Sequence, residues 1–156
     1  MSVSDSESTA DGGVINWYAV GRGAAAGLCF LVLASVIEAI LDRNIDSFSD
    51  SGWIYPLFVL ILFGYMLAGF GAGRQVPQAA LSNGLLAGIG AFALWIPVRI
   101  VIWAIRDSGK GLFGGVDPVF TPGRILGQIV FAAAFGAIGG WIASRRSART
   151  GTSADA

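Results

Sequence analysis

The apolar residues of the chain are collected in four long blocks separated by short polar segments. A helix needs about 20 mainly apolar residues to cross the hydrocarbon core of a bilayer, and each block has about that length. Because the four blocks cover well over half of the chain, they predict an all-α integral membrane protein built as a four-helix bundle. The predicted spans are residues 17–41, 53–73, 79–105 and 125–143.

Tryptophan and tyrosine residues mark the ends of these predicted spans. Indole and phenol rings favour the headgroup level of a bilayer, where one end of the ring is in an apolar surrounding and the other is wet. The residues at span ends are Trp17, Tyr18, Trp53, Tyr55, Trp103 and Trp141. Trp95 is an exception, since it lies well inside the third span.

The segments outside the transmembrane domain (residues 17–143) are mostly polar. Residues 1–16 are acidic and rich in small residues, and they predict a disordered tail that lacks the basic region of a secretory signal. Residues 144–156 predict a basic and then flexible C-terminal tail. The longest loop, residues 106–124, contains glycines and prolines, and we expect an ordered cap or a re-entrant turn there.

The basic residues near the span ends predict the orientation of the protein. Four spans place both termini on one side, and cytoplasmic loops carry an excess of lysine and arginine. The side of the termini has five basic residues, Arg22, Arg74, Arg145, Arg146 and Arg149. The opposite side has four, Arg43, Arg106, Lys110 and Arg124. We therefore expect a multi-pass protein of the plasma membrane with both termini in the cytoplasm.

Composition and charge exclude several classes of function. Only 13% of the residues are charged and the mean hydropathy is +0.69, whereas soluble domains have about a quarter charged residues. The net charge is zero, so nothing indicates a nucleic-acid partner. Histidine is absent, the single Cys29 can form no internal disulfide, and the sequence assembles no acid–base or nucleophile pair. The interpretation is a protein that is not an enzyme and needs no metal or cofactor.

The spans also align with one another in pairs. A shift of 61 residues aligns the first span with the third without gaps and places Glu38 over Arg99. A shift of 72 residues aligns the second with the fourth and places Gly64 over Gly136. Two helical hairpins repeated in one orientation are a known plan of membrane proteins. The alternative is chance, because glycine-rich apolar segments align easily.

Small residues recur at four-residue spacing within the spans, which puts them on one face of each helix. Such rows let helix backbones approach closely in lipid, where little hydrophobic force drives helices together. We expect the rows to pack the bundle most tightly on the side of the termini, although some rows could instead face another protomer. The residues predicted to pack helices are Gly23, Gly27, Gly64, Ala68, Gly69, Gly73, Gly84, Gly88, Gly136 and Gly140.

Two charged residues lie inside the spans, both toward the side away from the termini. Glu38 interrupts the aliphatic run "SVIEAIL", and Arg99 follows the helix-bending Pro97. Charges inside a membrane usually face the bundle interior, paired or hydrated. One interpretation is an ion pair that joins the hairpins; the other is a transport site in which Glu38 binds a proton or cation. Asn83 and Gln128 are further candidates for interhelical hydrogen bonds.

The phrase "LAGFGAGRQVPQAALSNGLLAG" contains a glycine-rich span end, an arginine, a proline turn and a new glycine-rich span. It resembles small bacterial four-span membrane proteins of the YrzE type, a group that implies no established activity. The excess of arginine over lysine suggests a bacterial source of high GC content. "LASVIEAIL" is also similar to the first span of small multidrug-resistance transporters, which have an essential carboxylate there, although here the acid lies later in the span and the chain is longer.

Together these patterns predict a non-catalytic membrane component whose partners are the bilayer and either further copies of itself or a larger membrane assembly. The alternative is a small secondary transporter or channel that uses Glu38 together with Arg99.

Overall fold

The computed structural model of the protein describes residues 15–45, 48–106, 112–113 and 120–151. It contains four α-helices, α1 (Trp17–Asn44), α2 (Ile54–Gln75), α3 (Ala80–Arg106) and α4 (Pro122–Gly151), and two short 3₁₀ turns, Phe48–Asp50 and Pro77–Ala79. The described residues contain no strand, and the predicted all-α four-helix bundle is confirmed. Most of the predicted N-terminal tail and of the longest loop lies outside the described residues, as does the chain beyond residue 151.

Local chemistry explains where the helices begin and end. Asn16 caps α1, because its side-chain oxygen accepts a hydrogen bond from the Ala19 N–H at 3.1 Å. α4 begins with Pro122, and proline is favoured there because the N–H of a first helical residue has no partner within the helix. The Thr121 hydroxyl oxygen accepts a hydrogen bond from the Arg124 N–H. α2 stops two residues before Pro77, since the residue preceding a proline is pushed out of helical geometry.

The helices form a bundle in which α1 and α4 occupy opposite corners. α1 packs on α2 and α3, and α4 packs on the same two helices, which also pack on each other. Sequential helices run in opposite directions, so the start of α1 and the end of α4 lie at one end of the bundle, called here the termini end. The opposite end, which holds the C-terminal halves of α1 and α3, is called the far end.

All four helices are long and apolar enough to cross a membrane. Their most apolar 18-residue windows have mean hydropathies between 1.8 and 2.3, and between 22% and 28% of each window is buried inside the bundle. Large apolar side chains therefore cover the outside, among them Leu33, Val59 and Val101. The chain thus has the features of a multi-pass membrane protein, because a bilayer is the solvent that such a surface requires.

The interior of the bundle is built mainly from small side chains. Six alanines with at most 2% exposure belong to one buried cluster: Ala24, Ala68, Ala72, Ala87, Ala91 and Ala132. The larger members of that cluster include Leu31, Tyr65 and Phe92. Small interior residues allow short distances between helix axes, which is the packing mode expected in lipid.

Candidate functional site

The structure brings Glu38 of α1 and Arg99 of α3 together toward the far end. The Arg99 Nη1 and the Glu38 Oε2 are 3.7 Å apart, which is an ion-pair distance but too long for a direct hydrogen bond. The Arg99 side chain is 22% exposed and the Glu38 side chain 40% exposed. The pair therefore lies at the edge of the bundle, with the carboxylate partly open to its surroundings.

Two neighbouring side chains extend this contact into a polar cluster, which we call the α1–α3 cluster: Ser35, Glu38, Trp95 and Arg99. The Trp95 indole N–H donates to the Ser35 hydroxyl oxygen at 3.0 Å, and that hydroxyl donates to the Leu31 carbonyl at 2.9 Å. The Arg99 guanidinium lies 5.8 Å from the centre of the Trp95 ring, within the range of a cation–π contact.

The cluster explains why one tryptophan lies inside a predicted span. An indole N–H in an apolar surrounding needs an acceptor, and Ser35 provides one from the neighbouring helix. Sequence reasoning missed Ser35. The available signal was its spacing, because it lies three residues before Glu38 and therefore on the same face of α1.

Pro97 lies between the two cluster residues of α3. The helix continues through it from Ala80 to Arg106. Since proline has no N–H, the carbonyl of Ala93 receives no helical hydrogen bond from position 97. A backbone acceptor is thus released two residues before Trp95, on the same helix as Arg99.

The chemistry available to the α1–α3 cluster is ionic. A carboxylate at ion-pair distance from a guanidinium can hold that partner, or exchange it for a proton or a cation. Within the described residues, no group of three or more potential metal ligands comes together. A cavity of about 370 Å³ lies beside the turn that precedes α2, and neither Glu38 nor Arg99 lines it. The residues that line it are Asp50, Ser51, Gly52, Ile54 and Tyr55.

Two further polar residues join elements elsewhere in the bundle. Tyr65 of α2 is 1% exposed, and its hydroxyl donates to the Gln128 side-chain oxygen of α4 at 3.0 Å. Asn83 of α3 is fully buried, and its side-chain oxygen accepts from the Asn16 N–H at 2.8 Å. Its side-chain amide donates to the Ala79 carbonyl at 2.9 Å. The predicted interhelical hydrogen bond is confirmed for Gln128, whereas Asn83 bonds to Asn16, the residue that caps α1, and to Ala79 of the preceding 3₁₀ turn.

The predicted small-residue row of α1 lies directly on α2. A Cβ added to Gly23 would collide with the Ala68 carbonyl oxygen. A Cβ on Gly27 would come within 2.8 Å of the Gly64 carbonyl oxygen. Ala72, one turn after Ala68, would lie 3.0 Å from the added Cβ of Gly23. Backbone of one helix is therefore in contact with backbone of the other.

The other two glycine-lined contacts involve α4. In the α3–α4 contact, added Cβ atoms on Gly84 and Gly88 would meet the backbones of Gly136, Gly140 and Ala132. In the α2–α4 contact, an added Cβ on Gly69 would collide with the Gly136 carbonyl oxygen, and one on Gly73 would meet Gly140 at 2.9 Å. Each residue predicted to pack helices thus lies against a neighbouring helix of the same chain.

Gly139 is a close-contact residue that sequence reasoning did not include. An added Cβ there would collide with the Met66 carbonyl oxygen and approach the Phe70 nitrogen at 2.7 Å. Three other glycines, Gly21, Gly123 and Gly127, have no atom within 4 Å of an added Cβ. Glycine content alone therefore does not identify the helix contacts.

The proposed internal repeat stays a prediction. The Gly27–Gly64 contact corresponds to the Gly88–Gly136 contact under the two alignment shifts. The whole bundle does not follow the same symmetry. A twofold axis relating the hairpins would make the α2–α3 and α4–α1 contacts equal, whereas α2 packs on α3 and α1 lies opposite α4.

No protein-family model, curated protein or solved structure matches the chain. The resemblance to proteins of the YrzE type therefore stays a prediction. The class of protein follows from the fold itself, which has four apolar helices able to cross a membrane.

Proposed function

We propose that this protein is a non-catalytic component of the plasma membrane that works as an oligomer or as an accessory to a larger membrane assembly. The observation that carries the proposal is the packing at the termini end, where glycine backbones of α1, α2, α3 and α4 lie directly on one another. Such contacts make a rigid core, because neither side chain movement nor water separates the helices there. A rigid bundle with an apolar outside is suited to a scaffold role.

The outer surfaces of α1 and α4 support the assembly part of the proposal. The rows of small residues in the interior are occupied by contacts within the chain, so a second protomer would use another face. Gly21 on α1 and Gly123 and Gly127 on α4 have open space beside them. A neighbouring helix could approach the backbone closely at these positions.

The distribution of charges supports an orientation with both termini in the cytoplasm. At the far end, the exposed arginines among the described side chains are Arg43 and Arg124. The termini end has exposed arginines at positions 22, 74, 145 and 146. Positive charge is retained on the cytoplasmic side of membrane proteins.

Disulfide crosslinking in native membranes tests the assembly. Cys29 is exposed on α1, and a variant with Cys29→Ser and Gly127→Cys moves the only thiol to the outer face of α4. A mild oxidant should give a covalent dimer in at least one of these two proteins if copies contact each other through α1 or α4. Cys29→Ser alone is the matched control and must stay monomeric.

An amine-reactive or carboxyl-reactive crosslinker extends the test to unlike partners. Native membranes that yield only the monomer, with both thiol positions and with the general crosslinker, would contradict the assembly proposal. The membrane orientation is tested separately by the accessibility of a thiol placed after residue 151 in sealed vesicles.

A second candidate function is a small transporter or channel that uses Glu38. The observation that favours it is the incomplete pairing of this carboxylate, which is 40% exposed and too far from Arg99 for a hydrogen bond. Flux of protons and monovalent cations should be compared in liposomes containing wild type, Glu38→Gln or the control Asp42→Asn, which removes an acid one turn later on α1. Equal flux in wild type and Glu38→Gln, or no flux at all, ends this interpretation.

A further inference from the structure

Four exposed arginines at the termini end lie over aromatic rings. The Arg22 guanidinium carbon is 5.6 Å from the centre of the Tyr18 ring, and the Arg145 carbon is 3.9 Å from that of Trp141. Arg74 and Arg146 share one ring, Phe70, at 5.7 Å and 5.5 Å. Three of the four contacts, those of Arg22, Arg145 and Arg74, each join residues of a single helix, whereas the contact of Arg146 with Phe70 joins α4 to α2.

The Phe70 ring is shared by two guanidinium groups. Both guanidinium carbons lie within 5.7 Å of the Phe70 ring centre, so their separation cannot exceed those two distances combined. The two charged groups come from different helices, so the packing of these helices must place both groups at the same ring. We call the group Phe70, Arg74 and Arg146 the two-arginine site.

The close contact between α2 and α4 explains why both arginines lie at Phe70. Gly139 lies against the backbone of Phe70, because an added Cβ there would come within 2.7 Å of the Phe70 nitrogen. Arg146 follows Gly139 by seven residues, which is about two helical turns, and so lies on the same face of α4. Arg74 follows Phe70 by four residues and lies one turn above it on α2. The contact of Gly139 with the Phe70 backbone thus places both guanidinium groups at one ring.

We propose that the two-arginine site binds the phosphate group of an anionic phospholipid from the surrounding membrane. Arginine has a planar fork of N–H donors that matches phosphate oxygens, and the two forks at Phe70 offer such donors from two helices. Basic pockets between transmembrane helices are suited to anionic headgroups. The source is a lipid because Phe70 and Arg74 occupy the last turns of an apolar helix, the depth at which lipid phosphates lie.

The alternative for these arginines is a purely structural role. Both lie in the C-terminal part of a helix, where positive charge compensates the helix dipole. Such a role would lower the stability of the bundle in any detergent when the charge is removed. It would not make the protein prefer one lipid headgroup over another. The lipid preference is therefore the readout that separates the two roles.

The experiment uses the purified full-length chain in neutral detergent micelles. The protein is exposed to an equimolar mixture of phosphatidylglycerol and phosphatidylcholine, and the bound lipids are counted by native mass spectrometry. We expect wild type to retain phosphatidylglycerol preferentially. Arg74→Gln and Arg146→Gln should each lower that preference about fivefold, which corresponds to about 1 kcal/mol for one arginine near anionic lipid. The double variant should lose most of it.

Two control variants test whether the effect belongs to this site. Arg22→Gln removes an exposed arginine at the same end of the bundle, and it should leave the preference within about twofold of wild type because it lies on α1. Arg74→Lys keeps the charge without the planar fork and should retain part of the preference. Melting temperatures in neutral detergent identify any variant that is unfolded, and Arg74→Lys then replaces Arg74→Gln.

Three outcomes would overturn the proposal. One is equal retention of phosphatidylglycerol and phosphatidylcholine by wild type. Another is an equal loss of preference in Arg22→Gln and the double variant, which would show a general surface charge. The third is an arginine-dependent rise in melting temperature with inorganic phosphate and none with phosphatidylglycerol, which would assign the site to free phosphate. The proposal depends on the membrane location of the chain and not on its assembly, so monomeric protein leaves it intact.

Discussion

The two ends of the bundle hold their helices together in different ways. At the termini end, glycines and alanines let the helices meet backbone to backbone, as at Gly69 and Gly136. Toward the far end, larger groups separate the helices, as in the edge-to-face pair of Phe58 and Phe131, whose ring centres are 5.4 Å apart. The polar α1–α3 cluster belongs to this second region. The comparison shows that the closely packed end contains a buried neutral amide, Asn83, whereas the Glu38–Arg99 ion pair lies where bulkier side chains separate the helices.

The largest expected effect comes from adding a single methyl group at the termini end. Gly69→Ala should destabilise the bundle by about 2 kcal/mol or more, because its Cβ would collide with the Gly136 carbonyl oxygen and the helices would have to separate. Unfolding in mixed micelles of rising SDS fraction measures the change. Gly71→Ala is the matched control two residues away, since its nearest atom lies at 3.5 Å. It should be neutral or stabilising by up to about 1 kcal/mol. Equal effects of the two variants would refute the comparison.

The next effect concerns the buried polar contact at the termini end. Asn83→Ala should cost about 2 kcal/mol, because it leaves the Asn16 N–H at the start of α1 without its acceptor and opens a small cavity. Thermal unfolding of the purified protein gives the change. Gln75→Ala removes an exposed amide whose bond stays within α2, and it should cost less than about 0.5 kcal/mol. A loss at position 83 as small as that at position 75 would show that the start of α1 does not depend on α3.

A smaller effect is expected where α2 meets α4 at mid-depth. Tyr65→Phe should cost about 0.6 kcal/mol, the usual strength of a hydrogen bond between helices in a membrane protein. Tyr55→Phe is the matched control on the same helix, because Tyr55 is 76% exposed. A double-mutant cycle with Gln128→Met isolates the coupling between the two side chains. A coupling energy of zero would mean that the hydrogen bond orients the two side chains without stabilising the bundle.

The smallest effect on stability is expected in the α1–α3 cluster. Glu38→Gln should change the free energy of unfolding by no more than about 0.5 kcal/mol, because the pair is 3.7 Å apart and the carboxylate is partly exposed. Asp42→Asn is the control on the same helix. Refolding from SDS after dilution measures both. A loss of more than about 2 kcal/mol at Glu38 would identify the ion pair as a structural link on which the bundle depends, and the contrast between the two ends would then fail.

The sequence predicted the elements well because apolar length is a local property. Four blocks of sufficient length indicated four helices without any knowledge of their neighbours. Polar residues inside those blocks also indicated contacts, since a polar group in lipid needs a partner. Glu38 and Arg99 form an ion pair, and the Gln128 side-chain oxygen accepts a hydrogen bond from the Tyr65 hydroxyl.

The partners of two residues could not be predicted in the same way. Trp95 looked anomalous inside a span, and only the α1–α3 contact shows that Ser35 accepts its indole N–H. In the sequence, nothing distinguishes Gly139 from Gly127, another glycine of the same helix. One lies against Phe70 and the other faces open space. Four-residue spacing selects one face of a helix, but it does not show whether a residue beside that face, such as Gly139, also meets a neighbouring helix.

The sequence by itself determined the class of the protein, the number of helices and the polar residues that require partners. Hydrophobic length and the cost of a polar group in lipid act on each segment separately, so no tertiary information is needed for these conclusions. The tertiary structure decided that α2 and α3 form the centre, that α1 and α4 lie at opposite corners, and that Arg74 and Arg146 both lie at the Phe70 ring. These features depend on which small residues of different helices fit against each other, and that fit exists only once the helices are packed.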